Sequence, residues 1–258
     1  MLIGVPKEIK NRENRVGLTP ESVQELITAG HQVLVETQAG KGINASDEDY
    51  SQVGATITAD ASEVFARAEM IVKVKEPQAE ERAMLREGQL LFTYLHLAPD
   101  AEQTKDLVAS GATCIAYETI TSASGGLPLL APMSEVAGRM SIQAGSHALE
   151  KTQGGRGMLL GGVPGVAPAK VVVIGGGVVG SNAVQMAVGA RADVVVLDRS
   201  KQALVNIDQE FGGAVKTVYS TKAALEQHVL EADLVIGSVL IPGAKAPKLV
   251  TAEMVANM

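Results

Sequence analysis

Short apolar runs bounded by charge, glycine or proline recur along the chain and alternate with stretches of helical period. That alternation predicts parallel sheets covered by helices. In the first half the runs predict strands at 2–5, 32–36, 70–74, 90–94 and 113–117. In the second half they predict strands at 171–174, 193–197, 215–218 and 233–236. Thr19 is an N-cap followed by Pro20 at the first helical position, and Asp100 caps a helix running towards Ala109. A Gly/Pro-rich passage over 124–132 leads into a helix over about 133–149, rich in small and methionine side chains. The expected fold class is α/β, with two doubly wound parallel-sheet domains. Residues 1–128 form the first and 129–258 the second, a Rossmann-type dinucleotide-binding domain whose sheet stops short of its last strands.

The strongest local pattern lies in the second half. A buried strand runs into Gly175-Gly176-Gly177-Val178-Val179-Gly180, a helix starts at Val178, and the next strand ends at Asp198. Gly175 suits a tight turn, Gly177 lets a pyrophosphate approach the backbone, and Gly180 lets the helix lie close on the sheet. Free N–H groups at the helix start attract phosphate. Asp198 lies at about the ~20-residue offset of a ribose 2′-OH acceptor. Its carboxylate favours NAD over NADP, with Arg199 beside it pulling the other way. A glycine-rich hairpin is the plainer alternative.

Composition narrows the class. With 258 residues and 46% hydrophobic content, the chain can build two cores. A net charge of −7 and 3% aromatic content argue against nucleic acid as a partner. Cys114 is the single cysteine, which rules out an intrachain disulfide and a multi-cysteine metal site and suits a reducing compartment. Charge follows too soon after Met1 for a signal peptide, so a cytoplasmic location is expected. The apolar segment 158–190 carries too many glycines, with two prolines, Lys170 and Asn182, to read as a membrane span.

In open parallel sheets, ligands bind beyond the carboxyl ends of the strands. Arg15 lies in the loop after the first strand, and Lys75 and His96 follow the strands at 70–74 and 90–94. A guanidinium and an ammonium can clamp a carboxylate, while an imidazole moves protons near neutral pH. Glu118 follows another strand and could orient one of them. Taken singly, Arg15 also fits a solvated loop charge, Lys75 a partner of Glu76, and His96 a structural histidine.

Five blocks together resemble NAD-dependent L-alanine dehydrogenase. They are Met1–Glu8, Glu13–Pro20, Val72–Pro77, Tyr94–Ala98 and Pro132–Gly138. The first is shared with the transhydrogenase α subunit, and the resemblance spans essentially the whole chain. It implies oxidation of L-alanine to pyruvate and ammonium with NAD and no metal. By that resemblance Arg15 and Lys75 hold the substrate carboxylate, Tyr94, Leu130 and Met133 shape its pocket, and His96 is the acid/base, with Lys75 also catalytic. On the cofactor side it implies Ser134 and the turn Gly175, Gly177, Val178, Val179 and Gly180 at the pyrophosphate, and Asp198 at the ribose. Ser220 would meet the adenosine end, and Val239 and Leu240 the nicotinamide.

The resemblance further implies a homo-oligomer built through the long helix after Pro132, with a dimer favoured for so short a chain. Members of the family continue beyond the position of Met258 into a further strand, a catalytic aspartate and a segment returning to the first domain. The chain reads as C-terminally truncated relative to that pattern. A second expectation therefore stands beside the enzyme: a relative that binds NAD(H) with little or no turnover, acting as a binding module. Residues 251–258 read as a capped helix with no strand after it, leaving the nucleotide sheet an open edge. Arg191 occupies a turn where the family usually has glycine; if the backbone there needs positive φ, a non-glycine residue costs about 1 kcal/mol.

Overall fold

The computed structural model describes residues 1–123, 125–240 and 247–258 and divides into two compact units, Met1–Leu129 and Leu130–Met258. Ser124, where the Gly/Pro-rich passage begins, lies outside the described residues.

The first unit runs β1 (Leu2–Val5), α1 (Pro20–Thr28), β2 (Gln32–Glu36), α2 (Asp47–Gln52), β3 (Thr56–Thr58), α3 (Ala61–Arg67), β4 (Met70–Val72), α4 (Ala79–Arg82), β5 (Leu90–Thr93), α5 (Ala101–Ser110) and β6 (Thr113–Ala116). Its six strands are all parallel in the order β3-β2-β1-β4-β5-β6. The alternation of a pleated strand sends successive side chains to opposite faces. Ile3, Val5 and Val72 thus join Val23 and Tyr50 on one face, while Ile71 and Leu91 join Val64, Phe65 and Leu107 on the other.

The second unit comprises α6 (Ala131–Ala148), β7 (Lys170–Ile174), α7 (Val178–Gly189), β8 (Asp193–Asp198), α8 (Lys201–Phe211), β9 (Val215–Tyr219), α9 (Lys222–Leu230), β10 (Leu234–Gly237) and α10 (Ala252–Ala256). Its four parallel strands follow the order β10-β7-β8-β9, which repeats the first four places of the other sheet. Val171, Val173, Val194 and Val196 pack under α6, α7 and α8, and Val172, Ile174, Val195 and Leu197 under α9 and α10. Both units are thus doubly wound.

Three predicted strands are shorter than the sequence suggests. β4 stops at Val72 and β5 at Thr93, and β6 stops at Ala116, where a short 3₁₀ turn, Tyr117–Thr119, takes over. β3 was missed because three residues, two of them threonine, make a weak apolar signal. The capped terminal helix forms: Thr251 accepts from the Met254 N–H, Met254 is buried against α9's face of the sheet, and Val255 stays exposed.

Arg191 has φ +64, so the turn does take the conformation that favours glycine. Its N–H donates to the Val188 carbonyl and that of Ala192 to the Ala187 carbonyl, the double bond of a Schellman cap closing α7. An L-residue there costs about 1–2 kcal/mol, and glycine loses roughly 0.5–1 kcal/mol more chain entropy on folding. The difference predicts that Arg191→Gly stabilises the chain by roughly 0.5–1 kcal/mol, readable as a higher midpoint in urea unfolding.

Candidate functional site

The cationic residues of the first unit gather where its strands end. Arg15 sits in the loop after β1, gripped by Glu13, whose Oε1 accepts from Arg15 Nε at 2.8 Å and from its backbone N–H at 2.9 Å. Glu13 Oε2 lies 2.6 Å from Nη2. Hydrogen bonds from Arg15 pull the Glu13 carboxyl down to about 2, with Lys75 adding to the effect, and the same contact raises the Arg15 pKa. The guanidinium is therefore a fixed cation. Glu76 pairs with Lys10 and not with Lys75, which removes the plain reading of Lys75 as its neighbour's partner.

Lys75 follows β4 on a main chain held from both sides. Its N–H donates to Glu8 Oε1 at 3.4 Å and its carbonyl accepts from the Thr93 hydroxyl at 2.9 Å. Glu8 Oε1 also accepts from the Val74 N–H at 2.6 Å, and its Oε2 lies 3.4 Å from Lys73 Nζ. Lys73 in turn pairs with Glu81, and all three charged side chains are buried. Burial raises the Glu81 pKa, against the pull of Lys73.

His96 follows β5 with φ +49, a left-handed conformation that histidine adopts more readily than most residues. Glu118 holds it there. Its Oε1 accepts from the His96 N–H at 2.6 Å and from the Leu95 N–H at 3.1 Å, while the imidazole Nδ1 stands 3.8 Å away. The imidazole stacks on Tyr94 at 5.9 Å between centroids and 5° between planes, and Tyr94 meets Tyr117 edge-on at 4.9 Å. Partial burial lowers the His96 pKa, Glu118 opposes that, and Lys75 and Lys10 reinforce it. Burial raises the Tyr94 pKa and Arg15 opposes it. These mutual influences place Arg15, Lys75, Tyr94 and His96 in one electrostatic neighbourhood. The Tyr94 hydroxyl donates to the Leu129 carbonyl at 2.5 Å, and the ring lines an apolar cavity of about 430 Å³ with Phe92, Tyr117 and Leu129.

The remaining residues lie in the second unit. Leu130 precedes α6, and Met133 and Ser134 are in its first turn. At the glycine turn, Gly175 has φ +106, and Gly180 lies so close that an added Cβ would sit 1.8 Å from the Gly175 carbonyl oxygen. Gly177 faces open space, with no atom within 4 Å of an added Cβ. A bare backbone facing open space, at the start of a twelve-residue helix opening with Val178 and Val179, fits a pyrophosphate. Asp198 Oδ2 accepts from the Gly176 N–H at 2.5 Å and its Oδ1 from the Ser200 N–H at 2.6 Å, which aims the carboxylate at the turn. Such an aimed acceptor suits ribose hydroxyls. The Ser220 N–H donates to the Asp198 carbonyl at 2.9 Å, bringing the end of β9 alongside.

Val239 packs on the sheet, and Leu240 is exposed, just past β10. Ser238 was missed in the sequence. Its Oγ lies 2.9 Å from the Ile174 carbonyl and 2.8 Å from that of Gly175, tying the end of β10 to the turn. A hydroxyl directly after a strand beside a glycine turn was the available signal. Glu8, Lys73 and Glu81 were also missed, although a lysine inside the apolar run Met70–Val74 signals a buried partner. Among the described residues no His/Cys/Asp/Glu group suits a metal ion, and no helix is long and apolar enough to cross a membrane.

Comparison with known proteins agrees in sequence and in shape. Residues 4–137 match the family described as alanine dehydrogenase/PNT, N-terminal domain, and residues 141–258 match the alanine dehydrogenase/PNT, C-terminal domain. The alanine dehydrogenase of Halomonas elongata is 60% identical over all 258 residues, which span 70% of that protein. That of Bacillus subtilis is 56% identical, again over the whole chain and 68% of its own length. A solved L-alanine dehydrogenase superposes with a TM-score of 0.92 at 53% identity, covering 100% of this chain and 71% of that one. A transhydrogenase from Sinorhizobium meliloti superposes with a TM-score of 0.83 at 27% identity, covering 100% and 75%. With both family domains matched in order and relatives above half identity, the chain belongs to the alanine dehydrogenase/PNT family.

Proposed function

We propose that this chain is an NAD-dependent oxidoreductase that converts L-alanine and water to pyruvate and ammonium. One observation carries the reading: Arg15, Lys75, Tyr94 and His96 share one electrostatic neighbourhood at the strand ends of the first unit. Arg15 and Lys75 hold the substrate carboxylate, the guanidinium kept rigid by Glu13. The Tyr94 ring borders the substrate, and the family resemblance adds Leu130 and Met133 as substrate-binding residues. His96, its pKa lowered by burial, is the base that takes a proton from the amine or from the attacking water as charge develops. Bound NAD supplies the acceptor for the hydride leaving Cα.

The residues that would hold it are Ser134, the turn Gly175, Gly177, Val178, Val179 and Gly180, and Asp198, with Ser220, Val239 and Leu240 at its two ends. Self-association as a homo-oligomer, with a dimer as the simplest form, fits the exposed Val136 and Met140 on α6. A cytoplasmic setting fits the free, half-buried Cys114 thiol.

The test pairs two measurements on one purified sample: NADH formation from L-alanine, followed by absorbance, and calorimetric titration with NADH. Alanine-dependent reduction supports the enzyme. NADH binding without it would leave a nucleotide-binding module, and neither would remove the reading altogether.

A further inference from the structure

Glu8 presents an odd expense. With Lys73 and Glu81 it forms a buried triad of charges, and such groups are weak contributors to stability because desolvation offsets their attraction. Its geometry supplies a different rationale. β4 ends at Val72, and β1 pairs with β4 only through Met70 and Ile71. Beyond that point no strand of the sheet takes the Val74 N–H. The Glu8 carboxylate does so at 2.6 Å and reaches on to the Lys75 N–H at 3.4 Å, while Thr93 fixes the Lys75 carbonyl from β5. Lys73 and Glu81 provide the countercharge that lets a carboxylate sit there at all.

We propose that Glu8 is a positioning residue for the reaction: its Oε1 sets the main chain of Val74 and Lys75 and so aims the Lys75 ammonium at the substrate carboxylate. This rests on the proposed function in taking Lys75 as a carboxylate ligand. The role belongs to the acceptor atom rather than to the charge, and two variants separate them. Glu8→Gln keeps an oxygen at Oε1 and removes the charge. Glu8→Asp keeps the charge and withdraws the oxygen by one methylene.

The experiment measures the alanine KM, the pyruvate Kd, the NADH Kd and the amide proton shift of Val74 for the parent and both variants. Glu8→Gln is expected to stay within threefold of the parent in alanine KM and pyruvate Kd. Glu8→Asp is expected to raise both at least tenfold, with the NADH Kd unchanged and the Val74 amide proton moved upfield. The reverse order would overturn the proposal, as would equal loss in both variants or a parallel loss of NADH affinity. A parent that neither oxidises alanine nor binds pyruvate would remove the proposed function instead. In that event the Val74 amide still decides whether Glu8 sets this backbone: an unmoved resonance in Glu8→Asp refutes it.

Discussion

Replacing His96 by glutamine is expected to lower alanine-dependent NADH formation by roughly a hundred- to ten-thousand-fold while leaving the NADH Kd unchanged. The imidazole is the group of ordinary pKa near neutrality in the cluster, whereas Glu13 raises the Arg15 pKa further. The pH profile follows from the same geometry. Burial lowers the His96 pKa from its ordinary 6.5, Glu118 opposes this, and Lys75 and Lys10 add to it. Alanine oxidation needs the neutral imidazole, so the rate falls only as pH drops through a pKa below 6.5.

Glu118→Gln removes the opposing influence and should move that acid limb to still lower pH. A limb that stays put or moves up would refute the account. The sign for stability is the same. The unfolded chain binds the His96 proton more readily than the folded one, so this residue's contribution is complete above its unfolded pKa and is lost as pH falls through the folded value.

Gly180→Ala should be the most damaging small change in the second unit. Its new Cβ would lie 1.8 Å from the Gly175 carbonyl oxygen, a backbone atom with no rotamer to change. α7 would have to lift from the turn, at an overpacking cost of about 1–3 kcal/mol. Displaced N–H groups would also lower NADH affinity, by tenfold or more. Gly177→Ala provides the contrast, because nothing lies within 4 Å of its added methyl. It should leave the unfolding midpoint unchanged and still weaken NADH, by occupying the space assigned to the pyrophosphate. Thermal unfolding and calorimetry of the two variants decide the matter. A Gly180→Ala protein with parental stability and affinity would sink the reading of the turn.

Strands that carry a solid apolar run, such as 2–5, 33–35 and 171–174, were legible because burial on both faces leaves little room for polar residues. The ends of β4 and β5 were not. There the Lys73 N–H still reaches Phe92 of β5, but the Val74 N–H turns to the Glu8 side chain and the Lys75 carbonyl to the Thr93 hydroxyl. Arg15, Lys75 and His96 could be picked out as candidates from their place after strands. Of the carboxylates that hold them, Glu118 could be picked out by its place after a strand but not matched to its partner, and Glu8 could not be picked out, because each acts on a residue whose distance along the chain follows no period. Glu118 reaches back 22 residues to His96, and Glu8 reaches 66 forward to Val74. Glu13 is the exception, two residues from Arg15 and inside the same motif.

The parallel pairing of β10 with β7 carries a consequence for synthesis. Ile174 finds its partner on that side in Gly237, some 60 residues later, while β8 covers the opposite flank much sooner. At about 5–20 residues per second, one side of a strand that is apolar from Val171 to Ile174 stays bare for about 3–12 s after it leaves the ribosome. That interval is when the nascent protein is most open to chaperones and to pairing with a neighbouring copy.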